Sequence, residues 1–272
     1  MKPSAIIREE PRLFFVLTFT LAVPFWVLGA IVNANLLPRL PIAAFDFLCP
    51  GLAAFILIYH DDGNAAAVTL LKRSFDFKRV RVKAWYVPTL LLMPLIMAVS
   101  FGVMRLTGVA VPVARISPVR ALLLCIVFFV AALGEELGWT GYATDRLQKR
   151  RSALETGLIV GSVWAMYHFV PLFQADRSII WIAWWTLFTV AARIIIVWLN
   201  NNTNMSIFIA ALFHMTINVT WQLFPVNGSY YDPRITGLVT ALVAVVVVLV
   251  WGPRTLTRGP IAGTGKVQDE HG

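Results

Sequence analysis

The sequence predicts an all-α polytopic membrane protein, a bundle of about eight transmembrane helices. Charged residues are only 14% of the 272-residue chain, mean hydropathy is +0.74, and long apolar runs recur along most of its length. A soluble domain carries roughly 25% charged residues, and about 20 apolar residues carry a helix across the hydrocarbon core of a bilayer.

The first run, 13–32 (LFFVLTFTLAVPFWVLGAIV), is longer than the apolar part of a secretory leader and reads as a helix that stays in the mature chain. The second, 42–59, holds Asp46 and the Pro50-Gly51 pair. Further runs follow at 85–104, 119–139, 154–173, 178–199, 205–224 and 235–252. Pro24, Pro88 and Pro94 fall in or beside these runs, and membrane helices tolerate proline because neighbouring groups satisfy the freed carbonyls. No internal repeat or linker interrupts the series, so 1–252 reads as one transmembrane domain. After Trp251 the chain turns polar and glycine-rich, and 253–272 reads as a disordered cytoplasmic tail.

The net charge of +9 comes with no nucleic-acid-reading motif, so the expected partner of the basic residues is the lipid surface and not a nucleic acid. Their distribution sets orientation. With the N-terminus inside, 16 of the 23 Lys and Arg residues fall in inner segments, notably Lys72–Lys83 and Arg146–Arg151. Arg39, Arg105, Arg115, Arg120, Arg177 and Arg234 fall in outer ones, and Arg193 lies within a span. That bias predicts a multi-pass cell-membrane protein with both termini cytoplasmic. Cys49 and Cys125 lie far apart in apolar runs and read as packed thiols.

Ionisable residues inside a span cost several kcal/mol and are candidates for function. Here they are Asp46, Glu135, Glu136, His168, Arg193 and His214. His60 and His271 fall outside the spans and read as solvent-facing. The basic cluster QKRR marks a turn near Arg151-Ser152, and Glu135 and His168 lie at similar distances before and after it. At 1.5 Å rise per residue both sit about 24–25 Å from the turn, at one depth. His214 and Asn218 are spaced i, i+4 and share a helix face, as do Trp164 and His168. Glu135 and Glu136 point about 100° apart, so one faces a site while the other pairs elsewhere.

Several chemistries use this set. A carboxylate with an imidazole deprotonates water, while a second imidazole and an amide stabilise an oxyanion. Alternatively Glu135, His168 and His214 form a His₂Glu set for zinc, although the HExxH spacing is absent. Taken singly, each residue also reads as interhelical hydrogen bonding, and together the carboxylates and imidazoles read as a transporter's proton relay.

Three stretches resemble the CPBP family (CAAX proteases and bacteriocin-processing, or Abi, proteins). GEELGWTGY is similar to its EExxxR motif, WAMYH with Pro171 to its aromatic-xxxH motif, and HMTIN to its HxxxN motif. The likeness runs from about Pro50 to Trp221. It implies eight transmembrane helices around a cytosol-accessible proteolytic chamber acting on membrane-associated peptides or proteins. Glu135 and His168 would activate water, His214 and Asn218 would form the oxyanion hole, and Glu136 and Trp164 would support them. No cofactor is firmly implied; zinc is the alternative. A non-catalytic relative, acting in bacteriocin immunity or partner binding, is the second reading. The motif-one arginine is here Thr140, so Glu136 needs another partner, and Arg193 or the Thr140 hydroxyl is available.

Overall fold

The computed structural model describes residues 11–32, 34–114 and 116–258. Its principal helices are α1 (Arg12–Val32), α2 (Leu48–Asp62), α3 (Asn64–Lys72), α4 (Tyr86–Leu106), α5 (Pro118–Gly138), α6 (Ala153–Tyr167), α7 (Phe169–Gln174), α8 (Ile179–Asn202), α9 (Ile207–Leu223) and α10 (Pro233–Trp251). A two-stranded antiparallel hairpin, β1 (Asn35–Leu37) and β2 (Leu40–Pro41), links α1 to a 3₁₀ turn, Ile42–Phe47, that leads into α2.

Among the described residues, seven helical segments are long and apolar enough to cross a membrane, and α9 is a shorter apolar helix. With 17 residues α9 is about 25 Å long. No residue of α9 is fully exposed. It runs through the middle of the bundle, against α4, α5 and α8, so its length is set by protein neighbours and not by lipid.

The basic connectors form one end of the molecule. Arg73 reaches Asp145 (2.6 Å) and the Met205 carbonyl (2.8 Å). Asp76 caps the start of α9, accepting from Ser206 Oγ (2.6 Å) and from the Ile207 and Phe208 amides (3.2 Å each), which satisfies donors that a helix leaves free. Residues 253–258 belong to this end too, which corrects the expectation that the chain is disordered from 253. The Pro253 and Arg254 carbonyls accept from the Leu154 and Ala153 amides, Asn201 and Asn202 hold the Thr255 and Leu256 carbonyls, and Leu256 is buried. Residues 259–272 lie outside the described residues.

Two glycine pairs let backbones touch, as small residues four apart do between membrane helices. A Cβ at Gly138 would lie 2.4 Å from the Pro50 carbonyl oxygen, and one at Gly134 would lie 2.8 Å from that of Phe47. Thus α2 seats directly on α5 beside Glu135 and Glu136. Gly157 and Gly161 likewise admit α8, where a Cβ at Gly161 would be 3.1 Å from the Arg193 Cβ. Both pairs are legible as GxxxG, in GEELG and GLIVG.

Gly138→Val is therefore expected to push α2 off α5 and to cost at least about 1–3 kcal/mol, the usual penalty of overpacking. Thermal unfolding of the purified protein in detergent checks this; an unchanged midpoint would mean that the two backbones are not in register there.

Candidate active site

After Glu136 the fifth helix widens into a π-helical turn over Trp139–Thr144, and Thr144 Oγ1 bonds the Trp139 carbonyl (2.8 Å). Such turns insert one extra residue into a helix and recur at functional sites. The i, i+4 relation survives just ahead of it: Trp139 Nε1 donates to Glu135 Oε2 (3.2 Å) and Thr140 Oγ1 to Glu136 Oε2 (2.5 Å).

The two glutamates lead different lives. Glu136 is fully buried and takes the Arg193 guanidinium as a fork, Nη1 to Oε2 at 2.7 Å and Nη2 to Oε1 at 2.9 Å. Arg193 is 0% exposed, lies 4.3 Å over the Trp164 ring and has its Nη1 3.4 Å from Thr140 Oγ1. The two partners offered by the sequence are therefore used together. The His214 Nδ1 bonds the same carboxylate at 2.9 Å, leaving its Nε2 3.8 Å from Glu135 Oε1.

Glu135 instead lines a cavity of about 810 Å³, as do Trp164, His168, His214 and Asn218. Trp164 connects two of them. Its indole N–H donates to Glu135 Oε2 at 2.7 Å, and its carbonyl meets His168 Nδ1 at 2.8 Å. A carbonyl only accepts, so the His168 proton sits on Nδ1 and the lone pair on Nε2. The chain bends there because Pro171 has no N–H for the Tyr167 carbonyl, and α7 begins at the next residue. Glu135 and His168 share the cavity without a direct hydrogen bond or ion pair between them. Asn218 lies one turn beyond His214 on α9, and its amide has no partner among the described residues.

Sequence reasoning gave no part to Trp139, although its spacing from Glu135 equals that of Thr140 from Glu136. Asp46, flagged as an ionisable residue in a span, also lines the cavity, held by Trp26 Nε1 at 2.8 Å. Zinc suits the donor types of Glu135, His168 and His214, yet among the described residues no three His, Cys, Asp or Glu groups converge to hold an ion.

The cavity is also lined by Arg39, Arg120, Arg177 and Tyr231, and by exposed faces of α5 such as Leu123 and Val127. Arg39, Arg120 and Arg177 lie opposite the end that carries the start of α1 and residues 252–258.

Removing one partner of a fully buried ion pair strands the other, at about 3–5 kcal/mol. Arg193→Ala should therefore unfold at a markedly lower temperature in detergent, and adding Thr140→Arg, whose guanidinium would stand one turn from Glu136, should recover part of the loss. An Arg193→Ala protein as stable as the parent would deny the pair its structural weight.

Two comparisons with known proteins bear on this geometry. Residues 117–220, spanning α5 to α9 and every side chain of the cluster from Glu135 to Asn218, match the Rce1-like type II CAAX prenyl endopeptidase family. The chain is also 29% identical over 245 residues to the CAAX prenyl protease 2 of Methanococcus maripaludis, an alignment covering 81% of this chain and 87% of the relative. With three motifs in order, and their side chains gathered around one cavity and its buried floor, both likenesses point the same way, to the CPBP family of intramembrane proteases, which this chain resembles.

Proposed function

We propose that the protein is an endopeptidase of membrane-associated peptides or proteins, in which Glu135 and His168 activate a water and His214 and Asn218 receive the oxyanion. One observation carries this reading: a single residue, Trp164, fixes both the carboxylate of Glu135 and the tautomer of His168 at the deep end of the cavity. In the proposed step the water oxygen bonds the scissile carbonyl carbon, and its proton passes to Glu135 or to His168 Nε2. Collapse of the tetrahedral intermediate breaks the C–N bond, and the same proton leaves on the amine. Asn218 contributes amide N–H groups to the oxyanion. His214 already gives Nδ1–H to Glu136, so its part in the hole requires a second proton on Nε2. The archaeal relative is named for prenylated CAAX substrates; the cluster itself requires only a peptide carbonyl.

A non-catalytic role was suggested by the missing motif arginine. Arg193 reaches Glu136 from α8 and supplies a guanidinium to the same carboxylate, which supports the catalytic reading.

Glu135→Gln and His168→Ala should each abolish hydrolysis of reporter peptides while unfolding at near-parental temperature. Asn218→Ala should lower kcat about 10²–10³-fold, the loss of one oxyanion donor. Full turnover by Glu135→Gln would remove Glu135 as the base.

For sidedness we propose that the termini are cytoplasmic, as the basic bias supports, which puts Arg39, Arg120 and Arg177 of the cavity lining on the outer side. In a background with Cys49 and Cys125 replaced by alanine, Thr107→Cys should react with a membrane-impermeant thiol reagent on intact cells, and Lys149→Cys only after permeabilisation. The reverse pattern would place those arginines on the cytosolic side.

A further inference from the structure

Three arginines of the cavity lining have no carboxylate partner among the described residues. Arg39 stands between β1 and β2, Arg120 in the first turn of α5, and Arg177 just ahead of α8, and all three line the cavity. Arg120 is steadied by Asn227 Oδ1 at 2.6 Å, and the Arg177 guanidinium lies 4.5 Å over the Trp181 ring. Among the described residues none of the three pairs with a carboxylate. Burial, and then the neighbouring charge of Arg39, lower the pKa of Arg177 from its ordinary value, as expected where cations crowd without an anion. Between these arginines and Glu135 the wall is apolar, with Leu124, Val127 and Ala131 on it.

The spacing has a measurable meaning. Arg120 and Glu135 are on one helix, 15 residues apart, which is about 22 Å. Both side chains lean towards the start of that helix, so the separation carries over to the charged groups. An extended peptide covers about 3.3–3.6 Å per residue. Six or seven residues therefore reach from the guanidinium cluster to the reacting carbonyl.

We propose that these arginines of the cavity lining bind a carboxylate of the substrate, and that the bond six or seven residues away is the one delivered to Glu135. The proposal rests on the endopeptidase reading above. It names one chemistry, a carboxylate, which a peptide supplies from its C-terminus or from an acidic side chain.

Binding and cleavage are tested separately. Full-length Glu135→Gln in phosphatidylcholine nanodiscs is titrated with a fluorescent apolar peptide as the free acid, as the amide, and as the amide with one internal glutamate. The free acid should bind on the order of tenfold or more tighter than the amide, the scale of a charge-assisted hydrogen bond. Recovery by the internal glutamate assigns the site to side chains as well; no recovery assigns it to the terminus. Arg120→Gln and Arg177→Gln, placed in the same protein, should erase the difference between acid and amide. In the unmodified protein, mass spectrometry of the products should show the cut moving with the carboxylate when it is shifted along the peptide.

Equal binding of acid and amide overturns the proposal, as does a cut that stays in place when the carboxylate moves. So does a carboxylate effect that survives both arginine substitutions. If the arginines bind only phosphatidylglycerol headgroups and ignore the peptide, they are a lipid contact and the proposal fails. Carboxylate-dependent binding with no cleavage by the unmodified protein would instead overturn the endopeptidase reading and leave the anion site standing.

Discussion

The fork between Glu136 and Arg193 is the interaction on which the site depends. Two opposite charges, both without solvent exposure, sit inside a bundle whose surroundings are apolar. Desolvating them is expensive, and the geometry that offsets the cost is demanding: two parallel hydrogen bonds, a hydroxyl on one oxygen and an imidazole on the other. Meeting it fixes α5, α8 and α9 in rotation and depth at one stroke. Glu135 and His214 then acquire their positions as neighbours of that pair, and a group engaged in holding helices together is kept apart from the group that faces the cavity.

Much of this was legible in the sequence because membrane proteins advertise their exceptions. Ionisable residues are so rare in the spans that Glu135, Glu136, His168, Arg193 and His214 could be picked out by inspection, and helical periodicity told which of them share a face. The seven long helical segments among the described residues, and the shorter α9, were equally visible as apolar runs. Less visible was anything decided by backbone contact or by a local break. The 205–224 run gives no hint that α9 is the buried axis of the bundle, since an apolar residue against protein and one against lipid look alike. The π-helical turn after Glu136 has no composition of its own. The order of residues 253–258 comes from carbonyls that cap α6, and carbonyls are the same in every residue.

Tryptophan does unusual duty here. Trp164 offers an indole N–H, a backbone carbonyl and a π face to three different ionisable residues, Glu135, His168 and Arg193. Trp139 adds a second donor to Glu135. An indole donates but does not titrate, so it orients a carboxylate without exchanging protons with it. That is a suitable scaffold for a group whose own proton transfers are to count.

The floor of the cavity carries a consequence for the cell as well as for the reaction. A chamber that admits water deep into a bilayer is halfway to being a channel, and a leak of protons through it would discharge the membrane. Below Glu135 the path is closed by Glu136, Thr140 and Arg193, each at 1% exposure or less, with Arg193 packed on the indole of Trp164. The fixed guanidinium there also raises an electrostatic barrier to any cation. The same ion pair that organises the helices thus also closes the cavity floor and sets a fixed positive charge beneath Glu135.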